Sequence, residues 1–95
     1  MRLVWKPLAI QDRERIMNTI ARDNPAAAIA LDEEFESKAE QLPQHPKLYK
    51  PGRVKGTREM VVRPNYVIVY RIQGRAISIL RVIHAAQRWP MRRKA

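Results

Sequence analysis

The sequence predicts an α+β domain in the order β-α-α-β-β-β: an N-terminal strand, a two-helix hairpin, then a three-stranded antiparallel meander. Two patterns carry this expectation. Between residues 8 and 42 apolar side chains recur every third or fourth position, whereas from 54 to 83 valine, isoleucine and tyrosine alternate or run together. The length of 95 residues allows one core over a single sheet. Residues 1–90 are read as one domain and 91–95, "MRRKA", as a basic tail that frays.

The elements follow in order. "MRLVWK" alternates as a strand, with Leu3 and Trp5 on one face and Val4 on the other. Pro7 suits the first turn of a helix, where its missing N–H costs nothing. From Leu8 to about Arg22, Ala9, Ile16, Ile20 and, at the edge, Met17 form one stripe, while Asp12, Arg13, Glu14 and Arg15 are expected to look outward. "DNP" breaks the chain: Asn24 caps a second helix and Pro25 opens it. Its buried stripe is Ala28, Leu31, Phe35, Ala39 and Leu42. Asp32, Glu33, Glu34, Glu36 and Glu40 read as its solvated face, because no histidine or glycine loop accompanies them.

"PQHPKLYKPGR" is then a stiff basic loop, followed by strands in "VKGTREMVVR", "NYVIVYRI" and "RAISILRVI". Pro64-Asn65 and Gln73-Gly74 are the short turns between them. Tyr66, Ile68, Tyr70 and Ile72 face one way and Val67 and Val69 the other, so this strand is central. One sheet face carries the hairpin, and the other is expected to meet something else.

Charge is uneven. The chain carries +10 overall, but residues 1–40 sum to −2, while residues 41–95 hold thirteen basic side chains against the single acid Glu59. Such a field attracts nucleic acid, a nucleoprotein machine or an acidic protein. The absence of cysteine excludes disulfides and thiolate sites, and with only His45 and His84 no metal or cofactor is expected. No apolar run is long enough for a transmembrane helix or signal peptide, so a soluble, cytoplasmic protein is expected.

Taken in order, "VKGTREMVV", "PNYVIVYRI" and "ILRVIHAAQRWP" resemble the RelE/ParE superfamily of toxins from bacterial type II toxin–antitoxin modules. The similarity spans almost the whole chain and is closest to the ParE-like, plasmid-stabilisation branch. It implies a helical hairpin on a curved antiparallel sheet, growth inhibition, and an antitoxin that wraps and neutralises the toxin. That antitoxin should be acidic where it meets the toxin and is expected to bind DNA. The resemblance leaves two activities open: RelE-like members cut messenger RNA in the ribosomal A site, whereas ParE-like members poison DNA gyrase.

RelE-like nucleases place an arginine after the tyrosine that opens the corresponding strand. Here Tyr66 is followed by Val67, as in ParE-like members. Loss of that positive charge forfeits stabilisation of the developing phosphorane, which favours gyrase. For the ribonuclease alternative the catalytic candidates are His84, Arg58 and Arg81. His84 otherwise reads as a strand-end histidine bonded to backbone or packed beside Trp89. Arg58 grips a phosphate or an antitoxin carboxylate on the open face, or pairs with the acidic second helix. Arg81, placed on the face of Ile79 and Ile83, is solvated or paired.

Lys47, Tyr49, Lys50, Arg53 and Lys55 form a basic loop with an interleaved aromatic, suited to RNA contact or simply solvated. Tyr66, Arg88 and Trp89 complete the candidate surface for target or antitoxin. Trp89 either docks on the core or anchors a partner. A plain nucleic-acid-binding module is the weakest reading, since no helix-turn-helix or zinc-finger pattern is present.

Overall fold

The computed structural model describes residues 1–87. Arg88, Trp89 and the expected tail lie outside the described residues. The order is β1 (Arg2–Trp5), α1 (Pro7–Ala21), α2 (Pro25–Glu40), β2 (Lys50–Pro51), β3 (Arg58–Arg63), β4 (Tyr66–Gln73) and β5 (Ala76–His84). The α+β expectation holds, and the five strands form one sheet in the order β1-β5-β4-β3-β2. β3, β4 and β5 are the antiparallel meander, with β4 at its centre. No helix among the described residues is long and apolar enough to cross a membrane.

The helices begin where proline permits. Pro7 and Pro25 occupy first-turn positions, and the Asn24 side chain accepts the Ala27 N–H at 3.0 Å. Ala28, Leu31, Phe35, Ala39 and Leu42 all reach the core, where they meet Met60, Ile68, Tyr70, Ile77, Ile79 and Val82 of the sheet. Arg13 stacks on the Trp5 ring at 4.4 Å and makes a bidentate pair with Asp32 at 2.8 and 2.9 Å. This couples β1, α1 and α2 at one corner. The Asp32 bond holds the Arg13 guanidinium pKa above its usual value, against the opposing cost of burial.

Four details depart from the sequence expectation. First, β1 pairs in parallel with β5, which makes the sheet mixed. The helical hairpin is the crossover that a parallel neighbour requires. Second, the basic loop contains β2, a two-residue strand with Lys50 opposite Glu59 and Pro51 opposite Arg58. Third, β3 starts at Arg58 rather than near Val54. The Gly52 N–H bonds the Thr57 carbonyl at 2.7 Å, and both the N–H and the hydroxyl of Thr57 bond the Val54 carbonyl, closing a tight turn instead. Gly56 supplies its left-handed residue, at φ 85°.

The fourth departure is Asp12. It was expected outward but is 1% exposed. Its carboxylate accepts Arg81 Nε at 2.7 Å, Arg81 Nη2 at 2.9 Å and the backbone N–H of Val82 at 2.9 Å. Arg15 adds a contact at 3.1 Å. The receiving site is a bulge in β5. Val69 pairs with Arg81 and Tyr70 with Ile79, so Leu80 is the extra residue. The bulge also separates two residues expected on one face: Ile79 belongs to the helix-side core, Ile83 to a second cluster with Val67 and Val69. That second face is not open at its centre, because all three of these side chains are buried.

Asp12→Ala should destabilise the fold by about 3–5 kcal/mol, because it strands a largely buried guanidinium and a backbone N–H. The check is the urea midpoint, and Asp12→Leu combined with Arg81→Met should recover much of the loss. Gly52→Ala should cost roughly 1–3 kcal/mol, since the new Cβ would run into the Thr57 side chain and backbone. Thermal unfolding of the purified variant tests it.

Candidate functional site

Two surfaces collect the sequence-nominated residues, and they lie apart. The first is a groove of about 180 Å³ between α1 and the end of β4–β5, lined by Arg15, Ile16, Thr19, Ile20, Tyr66, His84 and Gln87. Tyr66 and His84 are register partners, and their rings meet edge-on with centroids 5.5 Å apart. Phe35 stands edge-on behind Tyr66 at 5.6 Å, so a ladder of three rings runs from core to surface.

His84 is exposed, but one ring nitrogen is committed: Nδ1 accepts the Ala86 N–H at 3.1 Å. The Gln87 N–H closes the same turn on the His84 carbonyl at 2.8 Å. The neutral imidazole therefore carries its proton on Nε2, the edge left for chemistry or contact. The backbone-bonded alternative for His84 is the arrangement seen. Its expected neighbour Trp89 lies outside the described residues.

The second surface is the strap of residues 46–58. Lys47, Lys50 and Lys55 are exposed and make no ion pair among the described residues. Tyr49 is half-buried and packs against the core. Two side chains pin the strap from beneath. The Tyr70 hydroxyl donates to the Pro46 carbonyl at 2.7 Å, and burial pushes its pKa above the usual phenol value. Arg58 Nη1 donates to the Tyr49 carbonyl at 2.7 Å and the Lys47 carbonyl at 3.3 Å.

Arg58 pairs in register with Tyr70 of the main core, so it lies on the hairpin side of the sheet and not on the opposite face as expected. Nor does it pair with the acidic helix: backbone carbonyls are its partners. Glu59 points the other way and is 2% exposed. It accepts the Arg53 N–H at 2.8 Å and faces Arg53 Nε at 3.4 Å. Arg53 continues to the Gln87 carbonyl at 3.2 Å, tying the strap to the segment after β5.

The catalytic candidates do not converge. Tyr66 opposes His84 and Tyr70 opposes Arg58, four residues along β4, which places the two about 13 Å apart along the strand. Arg81 is held by Asp12, whose hydrogen bonds raise its pKa. Sequence reasoning missed Tyr70, Gln87, Arg15 and the carboxylates of Asp12 and Glu59. Tyr70 carried a usable signal, because a tyrosine on a core-facing stripe needs a partner for its hydroxyl.

Similarity to known proteins accords with this architecture. A family model described as the ParE toxin of the type II toxin–antitoxin system parDE matches residues 3–89. The putative toxin Y4kP of Sinorhizobium fredii is 37% identical over 90 residues, covering 94% of this chain and 93% of that protein. Toxin RelE2 of Caulobacter vibrioides is 32% identical over 87 residues, covering 90% and 96%. Among solved structures, a chain of the chromosomal ParDE system from P. aeruginosa superposes with a TM-score of 0.81 at 23% identity, covering 88% of this chain and 95% of its own. The chain belongs to the ParE toxin family of type II toxin–antitoxin systems.

Proposed function

We propose that this chain is a growth-inhibiting toxin that acts by binding DNA gyrase, without catalysing a reaction, and is silenced by a cognate antitoxin. The observation that carries the reading is the internal commitment of its candidate catalytic arginines. Arg58 is spent on strap carbonyls and Arg81 on Asp12, and Val67, beside Tyr66, is buried. Phosphodiester cleavage needs preorganised positive charge at the phosphate, next to the proton-transfer groups. The Tyr66–His84 groove lacks such a charge except Arg15, which itself contacts Asp12.

What is available suits adhesion to a polyanion-bearing machine. Lys47, Lys50 and Lys55 project from a strap held by Tyr70, Arg58 and the Tyr49 ring. Preorganised cations contribute mostly to encounter rate and salt-dependent affinity. In this reading the strap, Arg53 and the C-terminal residues Arg88 and Trp89 engage gyrase and stabilise its cleaved DNA complex. The same cations attract an acidic antitoxin segment.

The ribosome-dependent endoribonuclease reading retains one favourable observation, an exposed His84 with Nε2 available beside Tyr66. His84→Gln separates the two. On the gyrase reading it leaves supercoiling inhibition within about threefold of the parent. On the nuclease reading it abolishes message cleavage by the roughly 10²–10⁴-fold worth of a general acid or base. The parent should inhibit supercoiling while leaving ribosome-bound message intact; cut message with unaffected gyrase overturns the proposal. Replacing Lys47, Lys50 and Lys55 together by glutamate should weaken gyrase inhibition at least tenfold and flatten its salt dependence, as measured by titration at two ionic strengths.

A further inference from the structure

The two edges of the sheet are treated differently. β2 is two residues long and one of them, Pro51, has no N–H, so that edge resists pairing. β1 has four residues, no proline, no glycine and no bulge. Arg2 donates to the Arg75 carbonyl and Lys6 to the Ile79 carbonyl, both at 2.9 Å. In that ladder the intervening Leu3 and Trp5 turn their N–H and C=O groups away from β5. Neither residue makes a backbone hydrogen bond on that side among the described residues. α1 packs over β5 and leaves this edge open.

Just past the C-terminal end of β1 lies a hollow of about 390 Å³, lined by Lys6, Pro7, Leu8, Leu80 and Arg81. Leu80 is the residue that the bulge forces out of the ladder, and Leu8 is 54% exposed. Arg2 and Lys6 bracket the edge, exposed and without an ion pair among the described residues. A row of outward amides, an apolar hollow at its end and a cation at either side form a coherent receptor.

We propose that the outer edge of β1 receives an extended segment of the antitoxin as a sixth strand, with an apolar side chain in the Leu8–Leu80 hollow and carboxylates opposite Arg2 and Lys6. This rests on the antitoxin reading above and adds its site and chemistry. Main-chain bonds to Leu3 and Trp5 supply affinity, and the hollow and flanking cations supply specificity. A second copy of this chain fits poorly. Antiparallel pairing of two β1 strands sets Arg2 of one against Lys6 of the other, between chains that each carry +10.

The test is amide hydrogen exchange on the full chain, free and in complex with the antitoxin co-expressed from its own operon. Exchange at Leu3 and Trp5 should slow at least tenfold in the complex, while Val4, already bonded to β5, changes little. Leu8→Asp, at an exposed position that leaves the core intact, should weaken the complex about tenfold or more, as should Lys6→Glu. A tight complex in which Leu3 and Trp5 exchange as in the free chain overturns the docking site and leaves the antitoxin reading standing. Absence of any complex overturns both. Protection that appears in the free chain and rises with its concentration assigns the edge to a second copy, and also overturns the proposal.

Discussion

A single buried carboxylate fixes how the two halves of this protein meet. Asp12 lies on α1, and its three shortest bonds go to Arg81 and Val82 across 69 and 70 residues of sequence. A carboxylate buried this deeply is tolerated only when its lone pairs are filled by charged or backbone donors. The bulge at Leu80 provides both, since it frees the Val82 N–H and sets Arg81 beside it. The angle of the hairpin on the sheet, the switch of faces between Ile79 and Ile83, and the hollow beside Leu80 all depend on that one arrangement.

The same logic accounts for the basic half. Of its arginines, Arg53 pairs with Glu59, Arg63 with Glu34 at 2.5 Å, and Arg81 with Asp12. Two of these three carboxylates come from the acidic N-terminal half. Charge segregation along the chain is therefore partly a device for bringing the halves together. The lysines of the strap remain as outward charge, held in place because Tyr70 and Arg58 fasten the main chain between them. Arginine is suited to such bracing: its planar fork satisfies two carbonyls at once while remaining charged.

Much was legible in the sequence. The spacing of Ala28, Leu31, Phe35, Ala39 and Leu42 specified the buried face of α2, and every one of these residues is in the core. Asn24-Pro25 marked the start of α2, and the two-faced apolar pattern of Tyr66–Ile72 placed β4 at the sheet centre. Even Asp12 was visible by position, since Ala9, Asp12, Ile16 and Ile20 follow helical spacing. Reading it outward gave polarity precedence over period, and a buried ion pair is where that order fails.

Local pattern, carried by the periods of helix and strand, determined the element types, the hairpin, the antiparallel meander and the family. Tertiary structure decided the rest: the parallel pairing of β1, the two-residue β2, the bulge, and the partners of Arg58, Arg81 and Glu59. Each of these is a contact between distant residues or a register choice, and neither leaves a period in the chain. The site divides the same way. Sequence nominated Tyr66, His84 and the basic strap, but only the fold set Tyr66 beside His84, moved Arg58 about 13 Å along β4 from them, and left one sheet edge open.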